Sequence, residues 1–151
     1  MTDVPGISLR PAASADAVRI AELFTEEGYP VTTSAIEARL GRFASPESRV
    51  IVADAEGVVI GFAALHVLPR FEHDDVAVRV LALVVDSGAR ERGVGRGLLA
   101  EVERIAEAAG AAFVEVTAGH HRPEARHLYE SVGYDASLTA YLRKRISRHE
   151  G

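Results

Sequence analysis

The stretch that decides the fold is residues 90–99, RERGVGRGLL, in which three glycines alternate with larger residues and three arginines crowd the same turn. The apolar segment 76–85 precedes it, and a run of helix-forming residues follows it. The first amides of a helix lack intrahelical partners and carry partial positive charge, so they attract anions such as phosphate. The pattern therefore predicts a buried strand, a bare and positively charged turn, and a helix whose first turn faces a phosphate compound.

Helical and strand patterns alternate through the rest of the chain. Helices are predicted by apolar residues at helical spacing in four runs, which begin after Ser14 and Ser34 and at Val94 and Pro123. Ser14 and Ser34 are the expected N-terminal caps of the first two helices, and Gly110 and Gly133 are the expected ends of the last two. Strands are predicted at 7–9, 49–54, 58–68, 76–85, 112–116 and 138–142. The order βααβββαβαβ predicts an α/β sandwich around a mixed sheet, in one domain that spans residues 1–151.

Composition excludes several classes of protein. The chain has 151 residues, enough for a stable core, and it contains no cysteine, which excludes disulfide scaffolds, thiolate zinc sites and a cysteine nucleophile. No apolar run reaches the length of a membrane span, and the N-terminus lacks a signal-peptide pattern. The net charge of -5 argues against nucleic acid as a partner. We therefore expect a cytoplasmic protein without a membrane or nucleic-acid partner.

Two common nucleotide-binding motifs do not fit the glycine turn. A dinucleotide-binding fingerprint requires its third glycine at position 98, which is Leu98, and residues 86–92 separate the strand from the first glycine. A P-loop requires a Gly-Lys-Ser/Thr sequence, which does not follow. On this motif alone, there is an alternative: the glycines have only a structural role and let the helix pack closely on the sheet.

Two separate motifs resemble those of the GNAT superfamily of acyl-CoA-dependent N-acetyltransferases. RERGVG at 90–95 matches the R/Q-x-x-G-x-G/A signature, and LVV at 83–85 looks like the L-x-V strand end before it. ARHLYESVGY at 125–134 resembles the later A-x-x-x-Y-x-x-x-G-F/Y motif, with tyrosine at the last position. The resemblance implies the GNAT fold, with a mixed and mostly antiparallel central sheet flanked by helices. It also implies direct transfer of an acetyl group from acetyl-CoA to a primary amine in a ternary complex.

The resemblance assigns a set of residues to the acetyl-CoA co-substrate. The amides of the glycine turn hold the pyrophosphate, and the pantetheine arm runs along the preceding strand like an added strand. The Leu83 amide polarises the thioester carbonyl. The implied cofactor-binding residues are Leu83, Val84, Val85, Arg90, Arg92, Gly93, Val94, Gly95, Arg96, Gly97, His121, Ala125 and Tyr129.

For the catalytic groups, the resemblance implies an acid but leaves the base open. Tyr129 stands where many relatives place the acid that protonates the leaving thiolate, although a buried packing role is the alternative. Some relatives use a glutamate as the base four residues before the polarising amide, and Arg79 occupies that position here. The remaining candidates for the base are water and Glu26, Glu27, Glu72, His73, Asp74 and Asp75. His120, His121 and His127 lack a carboxylate or thiol at recognisable spacing, so no metal is expected.

The acceptor is expected to bind between the segments 29–45 and 69–75, which contain aromatic and acidic residues. Their charge suits a small cationic amine, including an aminoglycoside-like one, better than an acid. A protein N-terminus or lysine is an alternative acceptor, and a non-catalytic acyl-CoA-binding module is an alternative function. A homodimer is among the possible assemblies.

Overall fold

Five strands lie in one sheet in the order in which they occur along the chain. The computed structural model describes residues 6–117 and 123–147. The strands are β1 (Ile7–Pro11), β2 (Ser48–Ala55), β3 (Val58–Pro69), β4 (Val76–Val85) and β5 (Ala111–Val116). The α-helices are α1 (Ala17–Glu26), α2 (Thr33–Arg42), α3 (Val94–Ala108) and α4 (Pro123–Ser131). The chain divides into two compact units, Met1–Val116, which carries the sheet, and Thr117–Gly151, which carries α4.

The sheet is mixed and mostly antiparallel, as predicted. Each strand from β1 to β4 pairs antiparallel with the next, and β4 pairs parallel with β5. The parallel pair is the one joined by the long crossover through α3, because strands that run in the same direction need such a connection.

Helices cover both faces of the sheet. On β3, Phe62 packs with Ile20, Leu23 and Ile36 of α1 and α2, and this side of the sheet is called the α1 face below. A Cβ atom at the next residue, Gly61, would lie 3.1 Å from the side chain of Val94, so α3 packs closely on the opposite face, called the α3 face. The faces alternate along each strand, and residues paired directly across two strands share a face.

The predicted helix boundaries hold with two corrections. The cap of α2 is Thr32, whose hydroxyl accepts a hydrogen bond from the Ala35 amide at 3.1 Å, so this helix begins earlier than the Ser34 capping box predicted. Ser14 does not cap α1, because it lies in a 3₁₀ turn that ends at Asp16. Gly110 and Gly133 follow α3 and α4 with φ of 72° and 101°, the left-handed conformation expected of glycine at a helix end.

Asp16 ties the start of α1 to the edge of the sheet. Its carboxylate accepts hydrogen bonds from Arg10 at 2.8 and 2.9 Å and from the Ala13 amide at 2.7 Å. Arg10 also binds Asp54 on the neighbouring strand at 3.1 Å. The hydrogen bond from Arg10 is the main reason that the pKa of the Asp16 carboxyl is lowered.

The predicted strand at 138–142 is wrong. Within the described residues, no strand follows α4. Leu138 and Leu142 are 79% and 88% exposed, and an extended segment becomes a strand only when its backbone pairs with a neighbour. The apolar alternation that suggested a strand therefore has no sheet to join here. In the described ranges, no helix combines the length and the apolar character that a membrane crossing requires.

Candidate active site

Strand β4 parts from β5 halfway along its length. It pairs with β3 from Val76 to Val85, but with β5 only as far as Val80, opposite Val116. In the described part of the chain, residues 82–85 therefore have a strand partner on one side only. This unpaired side of β4 is called the opening below; its narrow end is Val80, where the pairing with β5 stops, and its wide end is Val85.

An extra residue in β4 explains why the strands part. In the pairing with β3, Val80 lies opposite Leu65 and Ala82 lies opposite Ala64, so Leu81 has no partner of its own. A β-bulge of this kind bends its strand and increases the local twist. The bulge coincides with the last β4–β5 pair, and beyond it the described residues of β4 and β5 are no longer paired. That backbone can accept an extended ligand as an additional strand.

The glycine turn closes the wide end of this opening. Asp86 follows β4 directly, and its carboxylate accepts a hydrogen bond from the Gly88 amide at 3.0 Å within the 3₁₀ turn Ser87–Arg92. Gly93 then adopts φ 76° and serves as the N-cap of α3 without a side chain that could accept from the first amides. The first intrahelical bond runs from the Gly97 amide to the Gly93 carbonyl at 3.0 Å. The first turn of a 15-residue helix thus begins beside the open end of β4, where it can bind an anion.

Two ion pairs connect α1 to this region. Arg19 of α1 binds the carboxylate of Asp86 and the Val59 carbonyl, the latter at 2.9 Å. Arg90 of the turn donates to Glu27, just after α1, at 2.7 Å. Together they hold the end of β4 and the turn against the helix on the α1 face.

The predicted co-substrate residues fall on one continuous path in the first unit. Leu83, Val84 and Val85 lie in the open part of β4. Arg90 and Arg92 lie in the 3₁₀ turn, where both are exposed, and Gly93 is the N-cap. The first turn of α3 contains Val94, Gly95, Arg96 and Gly97.

The remaining predicted residues lie in or next to the second unit's helix. Tyr129 of α4 is 7% exposed, and its ring meets the edge of the Tyr134 ring at a centroid distance of 6.0 Å. The Tyr129 carbonyl accepts from the amides of Val132 and Tyr134 at 3.2 and 3.0 Å, which closes the helix end. Ala125 lies on the same helix, and His121 lies outside the described residues.

Most of the acids predicted as bases are already paired with arginine. Glu26 lies 3.6 Å from Arg19, Glu27 binds Arg90, and Asp75 lies 3.2 Å from Arg70. Glu72, His73 and Asp74 are exposed in the loop between β3 and β4. Of the acids in the predicted acceptor segment 69–75, Asp75 is therefore paired, and Glu72 and Asp74 are exposed to solvent.

A row of four polar side chains crosses the sheet beside the narrow end of the opening, and the sequence patterns missed it. It runs over β2 to β5 and consists of Ser48, His66, Arg79 and Glu115, each paired in register with the next. Ser48 Oγ lies 2.8 Å from His66 Nδ1, and Arg79 Nε donates to Glu115 Oε2 at 2.7 Å. Because His66 is on the same side of β3 as Phe62, this polar row lies on the α1 face. Only the strand register brings these residues together, and register is not readable from spacing.

The comparisons with known proteins identify the family of the chain. Residues 17–134 match the model of the acetyltransferase (GNAT) family. The chain is 32% identical over 138 residues to YhfO of Bacillus subtilis (strain 168), described as an uncharacterized N-acetyltransferase, with 85% of this chain and 90% of that protein covered.

Two solved structures share the fold. A transcriptional regulator from Bacillus halodurans C-125 superposes with a TM-score of 0.81 at 19% identity, covering 92% of this chain and 99% of that one. The aminoglycoside N-acetyltransferase AAC(6')-Iy in complex with CoA gives 0.79 at 19% identity, covering 93% and 95%. At such low identity, both structures bear on the fold alone.

The fold, the opening in β4 and the glycine turn define an acyl-CoA-dependent N-acetyltransferase. The chain belongs to the GNAT family of acetyltransferases, and the resemblance seen in its two motifs is confirmed.

Replacing Gly93 tests whether the turn depends on its left-handed backbone. A Cβ at Gly93 meets no atom within 4 Å, so Gly93→Ala loses stability only through its positive φ, by about 1–2 kcal/mol. Gly41→Ala in α2 is the matched control, because Gly41 also has open space around it but does not have a positive φ. Thermal melts should show a lower Tm for Gly93→Ala and an unchanged or higher Tm for Gly41→Ala. Equal melting temperatures for the two variants would contradict this view of the turn.

Proposed function

We propose that this protein transfers an acetyl group from acetyl-CoA to the primary amine of a small molecule, directly and within a ternary complex. We further propose that residues 1–151 act as one catalytic domain. The observation that carries the proposal is the parting of β4 from β5 directly before a bare helix N-terminus. Membership of the GNAT family, which uses acetyl-CoA, and the CoA complex of the aminoglycoside acetyltransferase support the donor.

The opening suits the two chemically different parts of acetyl-CoA. The pyrophosphate would bind the amides of Gly93 to Gly97 at the N-terminus of α3, because both the helix dipole and the bare backbone favour it there. The pantetheine arm carries amide groups, which can pair with the free side of β4. The open part of β4, from Val85 back to Ala82, spans about 10 Å of extended chain. The thioester would then lie at the narrow end, near Leu83.

Each step of the reaction requires something of this chain. The amine attacks only when deprotonated, so a base or a water chain must remove a proton from the ammonium form. Negative charge develops on the thioester oxygen as the amine adds, and the Leu83 amide would stabilise it through a hydrogen bond. The departing sulfur needs a proton, and Tyr129 is the proposed donor. A phenol suits this task because it is protonated at neutral pH and a thiolate attracts its proton.

The direct test is turnover of acetyl-CoA with a panel of amines, measured as release of the CoA thiol. Acetyl-CoA alone should give slow release, and one or more small primary amines should accelerate it with saturation in both substrates. Stoichiometric binding of acetyl-CoA without acceleration by any amine would contradict catalysis and favour the binding module. Acceleration by peptides only would favour a protein acceptor.

Replacing Tyr129 tests its proposed role as the acid. Tyr129→Phe keeps the ring and its contact with Tyr134 but removes the proton, so kcat should fall by about a hundredfold or more. The Michaelis constant for acetyl-CoA should change little, because the lost interaction belongs to the transition state. Tyr134→Phe is the matched control and should keep kcat, since phenylalanine is the other residue of the motif at that position. A Tyr129→Phe variant with near-normal kcat would show that solvent protonates the sulfur.

A further inference from the structure

We propose that the Arg79–Glu115 pair forms the acceptor subsite and selects amines that carry a carboxylate near the amino group, as amino acids do. In this arrangement, Arg79 binds the carboxylate of the acceptor and Glu115 binds its ammonium. The inference rests on the proposed function, because it assumes that the thioester lies at the narrow end of the opening.

The pair lies next to that narrow end. The last two pairs between β4 and β5 are Arg79 with Glu115 and Val80 with Val116, after which the strands part. With the pyrophosphate at the wide end, the reactive carbon of the donor comes nearest to these two pairs. Four residues of strand separate Arg79 from Leu83, or about 13 Å between their Cα atoms. A guanidinium reaches several ångströms from its Cα, so one small acceptor can span the remaining gap.

Among the described residues at the narrow end, the side chains on the α1 face are exposed and those on the α3 face are buried. On the α3 face, Val78 and Val80 are 0% and 3% exposed and belong to the core. On the α1 face, the side chains of Arg79 and Glu115 are 43% and 31% exposed. An amine that arrives from solvent therefore meets these two side chains before it meets the thioester.

The pair retains groups that can bind both ends of such an acceptor. The contacts of Arg79 with Glu115, through Nε and through Nη2, both end on Oε2. Among the described residues, Glu115 Oε1 therefore has no hydrogen-bond donor and is free to accept from an ammonium. A guanidinium has five N–H donors, so Arg79 keeps donors for a carboxylate while it stays bound to Glu115. The free donors of Arg79 can bind a carboxylate, and Glu115 Oε1 beside them can accept from an ammonium group. Together they match an amine with a neighbouring carboxylate.

The charges near the pair argue against a polycationic acceptor. Arg79 itself repels a second positive charge at this point. Three of the acids that would attract a polycation, Glu26, Glu27 and Asp75, are paired with arginines. The acceptor predicted by this local charge is a zwitterion and not an aminoglycoside-like amine.

The test compares free amino acids with their amides, in which a neutral carboxamide replaces the carboxylate. With the full chain and saturating acetyl-CoA, kcat/KM should be about tenfold or more higher for an amino acid than for its amide, as expected of one charge-assisted contact. In Arg79→Gln the ratio of acid to amide should fall toward one, and in Arg79→Lys it should fall part of the way, because lysine keeps the charge without the planar fork. Glu115→Gln should lower kcat/KM for acid and amide alike and keep their ratio. Arg104→Gln removes an exposed ion pair with Glu101 on α3 and is the matched control, expected to change neither value.

The results that overturn the acceptor subsite differ from those that overturn the proposed function. A wild-type ratio near one, or a ratio that Arg79→Gln leaves unchanged while its thermal melt stays cooperative, overturns it. Turnover with other amines but with no amino acid also overturns it and leaves the proposed function standing. Failure of the proposed function looks different, because no amine of either kind would then accelerate CoA release.

Discussion

The extra residue at Leu81 cannot pair with β3 and keep β4 in step with β5 at the same time. Strand β4 stays paired with β3 to its end, and its pairing with β5 stops after Val80. Everything that makes the site follows from this choice. Among the described residues, it leaves one side of residues 82–85 without a strand partner, and it leaves the Arg79–Glu115 pair beside the narrow end of the opening.

The opening stays in place because its borders are fixed from both faces. Arg19 of α1 binds Asp86 at the end of β4, and Glu27, the residue after α1, binds Arg90 of the turn. On the opposite face, Gly61 lets Val94 and Leu98 of α3 approach β3 within van der Waals distance. A larger residue at Gly61 would push α3 away from the sheet and move the first turn of the helix. Rigid borders of this kind suit a site that must place a thioester within reach of an amine.

The sequence predicts the fold better than it predicts the chemistry. The turn at 90–97 and the long apolar run before it predict β4 and α3 correctly, because glycine placement and apolar periodicity are local properties. Predictions fail, or cannot be made, where a structure depends on contacts between residues far apart in the sequence. The alternation at 138–142 suggests a strand that pairs with nothing in the described residues. The polar row escapes notice because His66, Arg79 and Glu115 meet only through the register of three strands. The acids at Glu27 and Asp75 are predicted as free groups, but each is bound to an arginine.

Amide hydrogen exchange with and without acetyl-CoA measures most directly whether the opened part of β4 and the start of α3 hold the donor. We predict slower exchange, by about tenfold or more at saturating acetyl-CoA, for residues 82–85 and 94–97. Exchange in β1 and β2 on the far side of the sheet should change much less. If calorimetry shows that acetyl-CoA is bound and these two segments exchange as fast as in the free protein, the donor binds elsewhere and the proposed donor site is contradicted.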